Sequence, residues 1–240
     1  MMPQVLRDDH PEALSAVLAA LETGGTIVFP TDTIYGIGGN PWDGRCLERV
    51  RTLKERPPDR PFALLLPLPE SIERYASLDG RTRRWIDRSL PGPVTFLLPA
   101  TGGTPPASAA DGKVGIRVPF HPFFQGVLAR LDRPLFGTSV NRHGEPPLVD
   151  VDEIIDRFPA VDLIVTGSTG RAPSAILDLT VRPARLIRGD LPPPLRPLLD
   201  EEQNGHAADR EERPRDRAEA DRLPDSTLTT PDPECRSEGH

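Results

Sequence analysis

Cysteine is nearly absent from this 240-residue chain: only Cys46 and Cys235 occur, far apart and on segments of very different composition. That excludes a disulfide framework and a Cys/His metal cluster. No apolar run approaches membrane-spanning length, and the segment Met1 to His10 lacks the basic-then-apolar layout of a secretory signal. The expectation is a cytoplasmic protein without membrane association and without a metal held by protein ligands. Aromatic residues make up 5% of the chain, which gives little support to a module that binds RNA by stacking bases. Neither a G-x-x-x-x-G-K-S/T loop nor G-x-G-x-x-G is present, so the two usual phosphate cradles are missing. Lysine is the scarcest cation: of 29 Lys+Arg, only Lys54 and Lys113 are lysine.

The net charge of -7 is unevenly placed. From Asp200 onward six arginines face 13 acidic residues, which accounts for all of it, whereas residues 1–199 balance 23 basic against 23 acidic groups. The folded part is therefore neutral overall and has room for a locally basic groove. The composition predicts a domain over residues 1–190, then a Pro-rich and acidic segment over 191–240. The last forty residues hold too few large apolar side chains to offset ordering entropy, and disorder is expected there. Leu195, Leu198 and Leu199 offer a short docking stretch against the domain.

Within the domain, apolar runs alternate with turns. Leu14, Val17, Leu18 and Leu21 recur at helical spacing and stop at Gly24-Gly25. Leu47, Val50 and Leu53 mark a second helix ending near Lys54. Helices are also expected over 72–77, 82–89, 121–131 and 151–158, the last with Asp150 and Glu153 as a capping box. Strands are expected at 26–29, 62–66, 94–98, 114–118, 135–138, 163–165 and 175–179. Alternation of this kind predicts an α/β fold with a sheet that need not be all parallel.

Polar residues punctuate the strand ends, where ligands dock in α/β sheets. Pro30-Thr31-Asp32-Thr33-Ile34-Tyr35-Gly36 follows one strand. Lys54-Glu55-Arg56-Pro57 pairs a compact ammonium with a planar guanidinium fork, a combination suited to polyphosphate; a solvated helix end is the other reading of that pair. Arg117 interrupts an apolar strand, so it either meets a protein carboxylate or faces an anionic ligand. Ser139-Val140-Asn141 closes another strand with a hydroxyl and an amide. Ser174 heads Ser174-Ala175-Ile176-Leu177-Asp178, and Arg188 is the last charge before Gly189.

Taken in order, PTDTIYGIGGN, KERP, PGPVTFLL, GIRVP, TSVNRHGEP, SAILD and LIRGD resemble the YrdC/TsaC family of threonylcarbamoyl-adenylate synthases, over roughly residues 10 to 190. The resemblance implies an open, twisted mixed α/β sheet with flanking helices and a large concave basic cavity. It implies a nucleotidyltransferase that makes threonylcarbamoyl-AMP and pyrophosphate from L-threonine, bicarbonate and ATP, with Mg2+ carried on the ATP. A separate transferase complex would use the product to modify tRNA, and a weak direct RNA contact is a further expectation. Carried over by motif, Lys54, Arg56, Ser139, Asn141 and Arg188 would bind ATP, with Lys54 and Arg56 at the reacting phosphates. Thr33, Arg117 and Ser174 would bind threonine, and Tyr35 would line the pocket.

The chain departs from the family pattern at several points. Val140 replaces the alanine of the usual Ser-Ala-Asn, and Ala175 replaces a threonine, removing one hydroxyl near the expected threonine site. Arg188-Gly189 is a contraction of Arg-x-Gly, and Leu65 or a neighbour stands where many members have histidine. These changes leave room for a relative with altered or lost activity. An RNA-binding module, and a carbamoyl-adenylate-forming domain like those of hydrogenase maturation, are the rival assignments.

Overall fold

The computed structural model describes residues 2–211; the acidic stretch from 212 to 240, with Cys235, lies outside the described residues. Eleven strands form one sheet: β1 Gln4–Arg7, β2 Ile27–Phe29, β3 Gly36–Gly39, β4 Ala63–Leu65, β5 Val94–Pro99, β6 Ala109–Ala110, β7 Lys113–Arg117, β8 Leu135–Ser139, β9 Leu163–Thr166, β10 Ala175–Asp178 and β11 Arg185–Arg188. Their order is β1-β9-β2-β3-β8-β4-β7-β5-β10-β11, with β6 paired to β7. Parallel pairs such as β4/β7 and β5/β10 mix with antiparallel ones such as β3/β8 and β4/β8. The sheet is thus mixed, as expected.

Six helices flank it: α1 Ala13–Glu22, α2 Gly44–Lys54, α3 Gly80–Asp87, α4 Pro122–Leu131, α5 Val151–Arg157 and α6 Arg196–Glu211. The starts of α2, α3, α4 and α5 carry side-chain caps. Asp43 Oδ1 accepts from the amides of Arg45 and Cys46 at 2.9 and 3.1 Å and opens α2. Asp150 Oδ1 accepts from Glu153 N at 3.0 Å and opens α5, but the return half of the expected capping box is replaced by a contact between Glu153 and Arg157. The stretch expected to be helical over 72–77 is instead a 3-10 turn, Pro69–Arg74.

Pairing register decides which side chains share a face. Ala63 opposes Gly137, Leu65 opposes Arg117, and Leu97 opposes Gly115. The other face, carrying Leu64, Ile116, Phe96, Phe136 and Val28, is buried under α2, α3, α5 and the start of α6. On the first face, α1 and α4 cover the half built on β2 and β9, where Phe29 stacks on Phe124 with ring centroids 4.0 Å apart. The half built on β4, β7, β5 and β10 carries a cavity instead.

The expected boundary at residue 190 is corrected. Leu191, Leu195 and Leu198 are buried in the same core cluster as Trp85 and Phe96, so the folded unit continues into α6. Glu202 anchors that helix: its carboxylate accepts from Arg81 Nε and Nη2, both at 2.6 Å, from Trp85 Nε1 at 3.0 Å and from Ala184 N at 2.8 Å. A leucine triplet among prolines is a sufficient docking signal, because three apolar anchors and one bidentate ion pair offset the ordering of a single helix.

Candidate functional site

The cavity has a volume of about 500 Å3 and opens on the uncovered half of the sheet. Its floor exists because small residues stand where larger ones would fill it: Gly36, Ala63, Gly115 and Gly137 all line it. At Gly137 an added Cβ would meet Leu65 Cδ1 at 2.6 Å, so the Leu65 side chain would have to move. All nine residues singled out from the sequence line this one cavity: Thr33, Tyr35, Lys54, Arg56, Arg117, Ser139, Asn141, Ser174 and Arg188. They come from strand ends, loops and, for Lys54, the end of α2, between positions 33 and 188, brought together by the fold rather than by sequence proximity.

One wall is built around Lys54, the last residue of α2. Its side chain is only 2% exposed. Nζ donates to Ser139 O at 2.5 Å, Asn141 O at 2.6 Å and Asn141 Oδ1 at 3.1 Å. Ser139 Oγ donates to the same Oδ1 at 2.6 Å, while Asn141 Nδ2 donates to the carbonyls of Arg142 and Glu145. Three acceptors consume the three hydrogens of an ammonium, so the arrangement is that of a charged lysine. Burial, and then the neighbouring Arg56 charge, push its pKa down to about 7. The motif alone predicts that this charge faces a ligand; in the folded chain it crosslinks the loop after β8. Arg56 donates to the carbonyls of Arg60 and Pro61 and lies 4.9 Å above the Phe62 ring. Burial and the charges of Arg51 and Arg60 lower it to about 10.

The opposite wall is built around Arg117, at the end of β7. This buried arginine meets a protein carboxylate, Nη2 pairing with Asp32 Oδ1 at 2.5 Å, and it also lines the cavity. Nη1 donates to Thr33 Oγ1 at 2.8 Å, and Nε to Gly92 O at 3.3 Å. Thr31 Oγ1 donates to Ile34 O at 2.7 Å, which leaves Thr33 to donate to Thr31 across 2.9 Å. A relay of Arg117, Thr33, Thr31 and a carbonyl therefore fixes the guanidinium. Burial lowers the Arg117 pKa, and Asp32 opposes that shift. Asp32 Oδ2 is buried with no partner. Ser174 Oγ lies 3.0 Å from Thr95 Oγ1, and Arg188 Nη2 donates to Ser174 O at 3.2 Å. The Tyr35 hydroxyl is engaged by Gly167, donating to its carbonyl at 2.8 Å.

Sequence reasoning missed Thr95 and Arg60, which also line the cavity, and gave Asp32 no role. Thr95 lies within the PGPVTFLL run, where its alternation with Phe96 was the available signal. The departures from the family pattern also resolve by face. Ser174 and Ile176 line the cavity, whereas Ala175 sits between them, buried on the other side. Val140 packs among Tyr35, Phe136 and Leu148 in the core. Ala175 therefore removes no hydroxyl from the cavity wall. Gly189 has φ +77° and lies against Ala175, with an added Cβ 3.2 Å from Ala175 Cα, which explains the glycine directly after Arg188. Leu65 does line the cavity, so that departure changes its chemistry.

Five cationic side chains, Lys54, Arg56, Arg60, Arg117 and Arg188, line the cavity, and no Asp or Glu is among the lining residues. No group of three His, Cys, Asp or Glu that would hold a metal occurs among the described residues, and no described helix is long and apolar enough to cross a membrane. The site is a cation-lined cavity on an open sheet face of an α/β domain, a setting suited to an anionic ligand.

Comparison with known proteins identifies which such domain it is. The Sua5_yciO_yrdC family model, described as telomere recombination, matches residues 19–189, and the chain belongs to that family. A protein of Stutzerimonas stutzeri named threonylcarbamoyl-AMP synthase is 34% identical over 180 residues, spanning 70% of this chain and 95% of the relative. The crystal structure of E. coli YciO superposes with a TM-score of 0.73 at 28% identity, covering 81% of this chain and 97% of that one. The structure of P. abyssi Sua5 complexed with L-threonine gives 0.74 at 25% identity, covering 84% of this chain and 62% of that one. This chain thus spans about three fifths of Sua5.

Proposed function

We propose that the protein is a threonylcarbamoyl-AMP synthase, using L-threonine, bicarbonate and ATP and releasing pyrophosphate. The observation that carries the reading is the single cavity with two cationic walls of different character. Threonine carbamate and the α-phosphate of ATP are both anions, and bringing them together is the barrier. In this reading Arg117 and Thr33, with Ser174, receive the amino acid, the guanidinium meeting its carboxylate. Lys54, Arg56, Ser139, Asn141 and Arg188 receive the nucleotide. The carbamate oxygen attacks the α-phosphorus, the bond to the β-phosphate breaks, and pyrophosphate departs with both electrons of that bond. No enzyme nucleophile is needed: the walls act by alignment and by neutralising charge that concentrates at the α-phosphate.

Magnesium fits as a companion of the triphosphate rather than as a resident of the protein, because the lining residues include no carboxylate; bound to ATP it would neutralise phosphate charge further. The product is a mixed anhydride, prone to hydrolysis, so a tRNA-modifying transferase complex that consumes it is the partner this reading requires, in the cytoplasm with its tRNA. The relatives named threonylcarbamoyl-AMP synthase and the threonine-bound Sua5 support the assignment.

The test is pyrophosphate release from ATP by the purified protein, with and without L-threonine and bicarbonate. Release that needs both is the expected outcome. Release with threonine omitted but another amine present would shift the substrate. Silence with every amine, despite ATP binding, would favour an inactive relative.

A further inference from the structure

The Tyr35 hydroxyl is spent on a single residue. It donates to the carbonyl of Gly167 at 2.8 Å and accepts from the amide of Gly167 at 3.1 Å. Gly167 opens segment 167–174, which joins the end of β9 to the start of β10. Those strands lie in opposite halves of the sheet, seven strand pairings apart. A flat sheet would separate them by about 34 Å, at about 4.8 Å per pairing. The nine residue steps from Thr166 to Ala175 reach at most about 32 Å when fully extended. The connection closes because the sheet twists and curls, and it acts as a strap across the concave side.

Further contacts pin the strap along its length. His121 Nε2 donates to Ser168 O at 3.1 Å. Gly170 rests on the turn after β2: an added Cβ would meet the carbonyls of Asp32 and Thr33, each at 2.7 Å, and backbone cannot swing aside. Pro173 and Ser174 then line the cavity, with Ser174 held by Thr95 Oγ1 at 3.0 Å and by Arg188 Nη2 at 3.2 Å. None of these contacts involves Lys54, Arg56, Ser139 or Asn141. The strap therefore bears on Thr33 and Ser174 and leaves the Lys54 wall alone. Because so short a connection has little slack, movement released at Gly167 is passed on to Gly170 and Ser174.

We propose that Tyr35 is a positioning residue for the amino acid: its hydroxyl anchors the start of the strap, and the strap holds Thr33 and Ser174 in place beside Arg117. Affinity for the amino acid is thereby set separately from affinity for the nucleotide. This rests on the threonine reading above. The ring of Tyr35 is buried and packs with Phe136 and Val140, so the hydroxyl is the part of the side chain that serves the strap.

The experiment compares the full chain with Tyr35→Phe, which keeps the ring, and with a two-glycine insertion between the exposed residues Arg171 and Ala172. Pyrophosphate release gives KM for threonine and for ATP. Loss of the hydroxyl contact predicts a threonine KM raised by about five- to tenfold in Tyr35→Phe, with kcat and the ATP KM at wild-type values. The insertion should raise the threonine KM further. Amide hydrogen exchange is read at Thr33 and Ala175, whose amides donate to Thr31 Oγ1 and Pro93 O, and should be faster in both variants. An unchanged threonine KM in both variants would overturn the proposal, as would an equal rise in the ATP KM. A wild-type chain that releases no pyrophosphate with threonine would overturn the functional reading instead. Exchange then decides the strap alone: faster exchange at Thr33 and Ala175 supports the coupling, and unchanged exchange refutes it.

Discussion

The two walls of the cavity neutralise their cations by different means. On the Arg117 wall a buried charge is balanced by a buried carboxylate, Asp32, and a hydroxyl relay. On the Lys54 wall the charge is met only by neutral oxygens, two carbonyls and an amide, beside a second cation. The first arrangement keeps its charge across the working pH range and can trade one carboxylate for another. The second is net positive and loses its charge near neutrality. An amino acid brings one carboxylate and a triphosphate brings several negative charges, and the walls differ in the same sense.

The largest effect that would sharpen this contrast comes from Arg117→Ala. It leaves Asp32 buried without its partner, a loss of about 3–5 kcal/mol when one member of a buried pair is removed. Thermal unfolding should show a markedly lower Tm, and kcat/KM for threonine should fall by about a hundredfold or more. Arg117→Ala combined with Asp32→Asn should recover much of the stability and none of the activity. Recovery of activity would show that the pair is structural only.

Next in size is the pH dependence of the Lys54 wall. With a pKa of about 7 in the folded free protein, against 10.5 ordinarily, the ammonium is lost as pH rises through 7. Titration of ATP at pH 7 and 8.5 should therefore show affinity falling by about tenfold, a trend absent in Lys54→Arg. Stability should move the other way. Between pH 7 and 10.5 the unfolded chain binds more protons at this site than the folded one, so folding stability at this group rises with pH across that window. A parallel fall of affinity and stability would break the comparison.

Glu202→Ala is expected to cost about 1–3 kcal/mol, since it strips the carboxylate from Arg81, Trp85 and the Ala184 amide. Denaturant unfolding measures it, and a midpoint unchanged from wild type would show that α6 is held by its leucines alone. The smallest effect separates two neighbours at the start of β10. Ala175→Ser should leave the threonine KM unaltered because position 175 faces away from the cavity, whereas Ser174→Ala should raise it.

The strands and helices that carry most of the core were legible because their apolar residues recur with period 2 or 3.6 and their ends carry caps. What escaped was context-dependent. β3 reads Gly-Ile-Gly-Gly, a string that locally signals a turn and becomes a strand only between β2 and β8. β1 and β11 are short edge strands with mostly exposed side chains, and β11 is exposed along its whole length, so neither bears a buried-face pattern. At the site, residue types were legible and their partners were not. A sequence shows that Arg117 needs an anion, but only the register of β7 beside the turn after β2 supplies Asp32. The same holds for Lys54, whose burial depends on where the loop after β8 returns.

The floor of small residues gives the cavity a property independent of its charges. Gly115 has room for a Cβ, whose nearest neighbours would lie 3.5 to 3.7 Å away, whereas at Gly137 the Leu65 side chain would first have to move. Position 115 can therefore take a first added carbon at ordinary contact distance from its neighbours. A graded series from glycine through alanine to valine would work as a molecular caliper, measuring how deep the bound amino acid sits by the size at which it is first excluded.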